Sequence, residues 1–208
     1  MKNKSKLILV VAFMFLLGVT AFAQDYPKFE VPIGFSFVNV HPNISGITSF
    51  NVFGGGGGFV YNFTPLIGIK ADFEGYTQGS GQKFYQDVEF VGNVSGNLFT
   101  YMFGPQIKKH SGTFQPFGQA LFGAAHTNLD ANLCKLEGSC GSGSGSNNGF
   151  AMEYGLGLDI PIGHSIQIRP VEVDYLYTHF GSNHIQGFST SQNNFKYFAG
   201  VNFTFGSK

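Results

Sequence analysis

Ten ionisable side chains alternate with apolar ones in this chain, and their spacing frames every chemical reading of it. Lys70, Asp72 and Glu74 interleave with Ile69, Ala71 and Phe73. Glu30 stands between Phe29 and Val31, and Glu153 and Asp159 lie among Tyr154, Leu156 and Leu158. Arg169 precedes Glu172 and Asp174, which alternate with Val171, Val173 and Tyr175, and Lys196 sits between Phe195 and Tyr197. Seven acids and three bases brought together out of water require pairing or hydration. Neighbouring-strand geometry suggests Arg169 with Asp159, Lys196 with Asp174, and Lys70 with Asp72 or an acid across the lumen. Such a set makes a polar plug, a salt-bridge gate, or a path for protons or cations through the acidic excess. None of the ten is expected to be catalytic.

A second constellation is His179, Ser182 and His184. A serine hydroxyl attacks an ester only with a positioned base and an orienting carboxylate. The run His-Phe-Gly-Ser-Asn supplies no carboxylate and begins a loop. Hydrolysis of lipid A acyl chains is therefore the alternative reading, and a non-catalytic protein the leading one. The run Gly54 to Gly58 lacks the Lys-Ser/Thr and the helix start of a phosphate-cradling loop. Cys134 and Cys140 are the only cysteines. In an exported chain they predict one local disulfide, since two thiols alone do not make a metal site. No metal and no cofactor are expected.

The elements that carry these residues read as strands. Eight stretches show a period of two, near 29–40, 49–62, 67–77, 94–108, 114–126, 149–161, 166–178 and 193–206. The last is the plainest: Phe195, Tyr197, Ala199, Val201, Phe203 and Phe205 oppose Lys196, Phe198, Gly200, Asn202 and Thr204. Connections alternate between short ones near 63–66, 109–113 and 162–165 and long ones near 41–48, 78–93, 127–148 and 179–192. That alternation predicts an antiparallel up-and-down meander with one trimmed and one elaborate rim. The Gly/Ser-rich segment 138–148 is expected to be flexible.

Volume decides which face is inside. Eight strands enclose an interior just wide enough for their side chains. Aromatic residues on most strands would overfill it, whereas the opposite parity carries glycine beside charge. The aromatic face therefore points outward, and the solvent that it meets is lipid. A soluble lipocalin-like binding barrel, with rings inside and charges outside, is the inverse alternative. Ile166 and Ile168 share a face with Val171, Val173, Tyr175 and Tyr177 only if a β-bulge at Arg169-Pro170 restores phase. Gly54, Gly56 and Gly58 are expected across from Glu74, Asp72 and Lys70, leaving them room. Phe53 and Phe59 would shield the bare outer backbone there. The faces of 114–126 stay unassigned.

The fold expected is all-β: an eight-stranded transmembrane β-barrel over residues 24–208, preceded by a cleaved signal peptide, residues 1–23. Lys2, Lys4 and Lys6, an apolar run from Leu7 to Thr20 and the Ala21-Phe22-Ala23 site compose that signal. Charged residues are only 12% of the chain, about half the share usual in soluble domains. Loss of three lysines leaves a slightly acidic domain with no basic patch for nucleic acid.

Several stretches resemble the bacterial outer-membrane β-barrel domain family, whose members are similar to the OmpA transmembrane domain. They are Asn97-Leu98-Phe99-Thr100-Tyr101-Met102-Phe103-Gly104-Pro105, Pro116-Phe117 with Leu121-Phe122-Gly123-Ala124, Asp174-Tyr175-Leu176-Tyr177-Thr178, and Gln192-Asn193-Asn194-Phe195 with Ala199-Gly200-Val201. The resemblance implies an eight-stranded barrel in the outer membrane of a Gram-negative-type bacterium, with a structural, interaction or minor-pore role and no catalytic residues to carry over. Its implied partners are outer-membrane lipid and lipopolysaccharide, and the barrel-assembly machinery during insertion. The partner of the external loops stays unknown.

Overall fold

The alternation of apolar and polar residues builds nine strands. They are β1 (Pro27–Val40), β2 (Phe50–Asn62), β3 (Ile67–Thr77), β4 (Gln82–Gln86), β5 (Phe90–Lys108), β6 (Gln115–Lys135), β7 (Cys140–Pro161), β8 (Ile166–Phe180) and β9 (Ser191–Ser207). The structure is a computed structural model. It describes residues 26–41, 50–77, 82–86, 90–135, 140–181 and 191–207, with side chains at all of these except 50, 82–86, 90–95, 129–135, 140, 141 and 207. The expected signal peptide lies outside the described residues. Among them, no helix is long and apolar enough to cross a membrane.

Eight of the strands close into an antiparallel barrel. The order runs β3-β2-β1-β9-β8-β7-β6-β5, and β3 pairs with β5 to complete the ring. The seam between the ends of the chain is long, from Pro27↔Ser207 to Asn39↔Phe195. Closure leaves no free edge around the wall, so every backbone group in it can be satisfied within the sheet. The short β4 stands outside the ring and pairs only with the first residues of β5.

The long connections are less loop-like than the sequence suggests. Pairing of β6 with β7 continues without a break from Gln115↔Asp159 to Cys134↔Cys140. Residues 140–148 are therefore extended and paired, where a flexible segment was expected. The physical reason is register: a hairpin zipped at its barrel end delivers the next residues already opposite one another. The Gly-Ser alternation has no bulk to disturb them.

The β-bulge expected at Arg169-Pro170 is present. Register shifts between Leu158 and Ile160 on one side of β8 and between Arg169 and Glu172 on the other. The extra residue lets Gln167, Arg169, Glu172 and Asp174 all point inward. It also brings Arg169 and Glu172, three positions apart, into contact.

One reading of the glycine run is corrected. Gly54, Gly56 and Gly58 face Tyr76, Glu74 and Asp72, with Val60 opposite Lys70. The predicted register was one pair off because the turn is centred on Pro65 rather than on residue 64, and returns as Phe63 N–H donating to Ile67 O, 3.0 Å. The rings of Phe53 and Phe59 pair with Phe37 and Phe29 on β1. The space argument nevertheless holds. A Cβ on Gly56 would meet Glu74 Cγ at 2.8 Å, and one on Gly155 would overlap Asp174 Oδ1.

Gly155→Val therefore has to displace the Asp174 carboxylate from the lumen. Overpacking of this kind costs about 1–3 kcal/mol, to be read as a lower urea midpoint for the folded, heat-modifiable form in detergent.

Candidate functional site

The inward face of the wall is filled by an ionic network. All ten residues singled out from the sequence lie in it, each 4% exposed or less. Sequence reasoning missed an eleventh, Lys108, which is also buried. Its parity was available: Met102, Gly104, Gln106 and Lys108 fall on one face of β5. The position near the strand end obscured it.

Nearest the short turns, Lys108 Nζ donates to Glu30 Oε2 at 2.5 Å and Asp159 Oδ2 at 2.6 Å. Arg169 Nε donates to Asp159 Oδ1 at 2.7 Å, and its Nη1 to Glu172 Oε2 at 2.7 Å. Here each charge meets an opposite one in near-ideal hydrogen-bond geometry, as burial requires. The guanidinium carbon lies 4.1 Å from the centre of the Phe117 ring, a cation–π contact under the ion pairs. Asn202 and Gln167 satisfy the remaining carboxylate and ammonium sites.

Farther from the short turns, acids outnumber bases. Lys70 Nζ lies 3.1 Å from Asp72 and 3.3 Å from Glu172. Lys196 Nζ reaches Glu153 at 2.9 Å, Glu74 at 3.2 Å, Asp174 at 3.3 Å and Asp72 at 3.9 Å. An ammonium has three hydrogens, so four carboxylates cannot all be bonded. Asp72 Oδ2, Glu153 Oε2 and Asp174 Oδ2 lack a hydrogen bond although they lie within ion-pair range. The Tyr76 hydroxyl donates to Glu74 Oε2. Glu153, Glu172 and Asp174 present oxygens within 4.8 Å of one another. The centre of that trio is taken by Gln119 Nε2, at 3.1, 2.7 and 2.9 Å from them.

Beyond the ions, toward the long loops, the filling changes character. Val38, Val40, Val52, Tyr76, Met102, Leu121, Ala125, Ala151, Leu176 and Phe180 form one buried cluster. Seven of the eight wall strands contribute to it. This apolar layer was not foreseen, because its residues sit on the same parity as the charges and look like exceptions to it. The 114–126 stretch resisted assignment for the same reason. Gln115, Phe117, Gln119, Leu121 and Ala125 face inward, so its inner face mixes polar and apolar types.

The outer face is apolar around the barrel. Phe35 is 83% exposed and Leu156 72%. Phe73, Phe103, Tyr154, Tyr175 and Phe195 stand on the same side. Rings outside and carboxylates inside is the reverse of a soluble binding barrel, so the lipocalin-like alternative fails. The sequence matches, over residues 9–207, the family described as Outer membrane protein beta-barrel domain. The chain belongs to this family. It is an outer-membrane barrel of the Gram-negative type.

Solved structures agree on the fold. Ail, the attachment invasion locus protein of Yersinia pestis, is similar with a TM-score of 0.53 at 19% identity, over 85% of this chain and 99% of that one. Neisserial surface protein A gives 0.50 at 13% identity, over 86% and 97%. No curated protein matches the sequence.

At the external rim, His179 bonds through Nδ1 to Ser191 Oγ, 2.9 Å. Ser182 and His184, the partners considered from the sequence, lie outside the described residues. So do the side chains of Cys134 and Cys140, whose backbones pair directly across the β6–β7 hairpin.

The uneven balance around Lys196 separates two substitutions. Lys196→Met takes the shared ammonium from Glu74, Glu153 and Asp174 and should cost about 3–5 kcal/mol of stability. Glu74→Gln removes one acid from an acid-rich group and should cost under about 1 kcal/mol. Urea-dependent unfolding in detergent, followed by gel mobility with and without boiling, distinguishes the two.

Proposed function

We propose that this barrel is a sealed, non-catalytic scaffold that anchors an extended external sheet in the outer membrane for contact with partners. The observation that carries this reading is the apolar cluster across the lumen. Ions alone could rearrange into a hydrated gate, but a layer containing Val38, Leu121 and Leu176, all fully buried, gives water a mostly apolar lining, in which Thr100, Thr178 and Asn194 are the polar side chains in register with it. The external side is where the chain invests length. Strands β5, β6 and β7 run past the end of their barrel pairings, and β4 adds to them. Lipid and lipopolysaccharide surround the wall in this reading. The assembly machinery handles it only during insertion.

The enzymatic alternative rests on the His179–Ser191 hydrogen bond, which sits on the outer face near the outer leaflet. A serine–histidine pair needs an orienting acid to become a strong nucleophile. Lipid A mass spectra from cells with and without the protein would show a lost acyl chain if this pair were hydrolytic.

Planar-bilayer recording tests the seal. The wild-type protein should give no discrete openings. Arg169→Ala should also stay silent, because the apolar layer is untouched. Arg169→Ala combined with Leu121→Gly and Leu176→Gly should conduct. Openings in the wild type would overturn the sealed reading.

A further inference from the structure

One titratable group outside the wall is bonded in a way the structural role does not require. His110 lies in the short turn between β5 and β6, yet its side chain is 1% exposed. Its Nδ1 lies 2.7 Å from the carbonyl oxygen of Pro65, in the neighbouring turn between β2 and β3. Its Nε2 lies 2.7 Å from Glu30 Oε1, inside the barrel mouth.

Hydrogen-bond bookkeeping fixes the protons. A carbonyl oxygen only accepts, so Nδ1 carries a hydrogen. Glu30 accepts from Lys108 and Asn202 at Oε2 and from Asn62 at Oε1. A carboxylate so surrounded by donors is ionised and accepts from the ring as well. The remaining neighbour of Nε2 is Asn62 Nδ2, at 3.2 Å. Both amide hydrogens of Asn62 are already committed, to Pro27 O and Glu30 Oε1, each at 2.8 Å. Flipping that amide would aim its oxygen at two acceptors, so the assignment is forced. Among the described residues nothing is left to donate to Nε2, and it too carries a hydrogen.

We infer that His110 is held as an imidazolium, a two-donor clasp that ties the short turns to the buried Glu30 ion cluster. The groups facing it are Glu30 from β1, Lys108 from β5, and Tyr26 with its ring centre 6.2 Å away; Lys28 touches the Tyr26 hydroxyl. Asp159 lies one step further, on the far side of Lys108. Both donors are needed: a ring without one of them would leave either Pro65 O or Glu30 Oε1 without its ring partner. The turns would then loosen over the mouth while the ion pairs of Lys108 and Arg169 stay in place.

The test uses the full-length protein in lipid nanodiscs. Nitrogen-15 spectra of the His110 ring, with His110→Gln to assign the signals, report protonation at each nitrogen directly. Both nitrogens should carry hydrogen in the folded protein. Hydrogen exchange at the Lys108 amide, which donates to Leu66 O at 2.9 Å, reads the clasp. After correction for intrinsic rates, protection there should fall about tenfold in His110→Gln relative to the wild type. A ring with hydrogen on only one nitrogen, or unchanged protection in His110→Gln, would overturn the inference.

Discussion

A narrow lumen wrapped in lipid makes every inward charge answerable to another inward charge. Eight strands leave no room for bulk water at the centre, and the outer face offers only hydrocarbon. Each ionised group must therefore find its partner across a strand or across the barrel. Lys108, from β5, binds acids on β1 and β7; Lys196, from β9, reaches β3, β7 and β8. These contacts tie together strands that are far apart in sequence. They fix the barrel's register more firmly than backbone pairing alone, because a slip of one residue would turn the whole set toward lipid.

The network works only because the wall adapts to it. Glycines stand where the long side chains need depth, as Gly56 does beside Glu74 and Gly155 beside Asp174. The bulge in β8 is a second adaptation. It spends one residue to place Arg169 and Glu172 in the same layer, where one guanidinium joins Asp159 to Glu172. From there Lys70 continues the chain of charges. The bulge is thus the hinge point between the balanced group near the short turns and the acid-rich group above it.

Period-two alternation made the wall readable in the sequence, and so did the side of it that faces lipid. Arg169 with Asp159 and Lys196 with Asp174 followed from hairpin geometry, because cross-strand neighbours are local in sequence. Contacts across the lumen did not follow. Lys108 with Glu30, and Gln119 with three carboxylates, join strands whose separation depends on the closure of the ring. The apolar layer was hidden for a different reason. Leu121, Leu176 and Val38 lie on the charged parity, and a two-letter pattern cannot say at what height the inner face changes from polar to apolar. The glycine register failed by one pair because it hung on the centre of a four-residue turn.

The seam between β1 and β9 carries a demand on biogenesis. The first and last strands of the sheet are neighbours, so the cylinder exists only once the final residues are available. Until then an open sheet would present Glu30 without Asn202, and Lys196 without Glu74, to whatever surrounds it. Partial insertion would drag unneutralised ions through acyl chains, stave by stave. The seam thus makes pairing of β1 with β9 the step that encloses the electrostatic cargo: a wall not yet zipped would meet the bilayer with its ions uncovered.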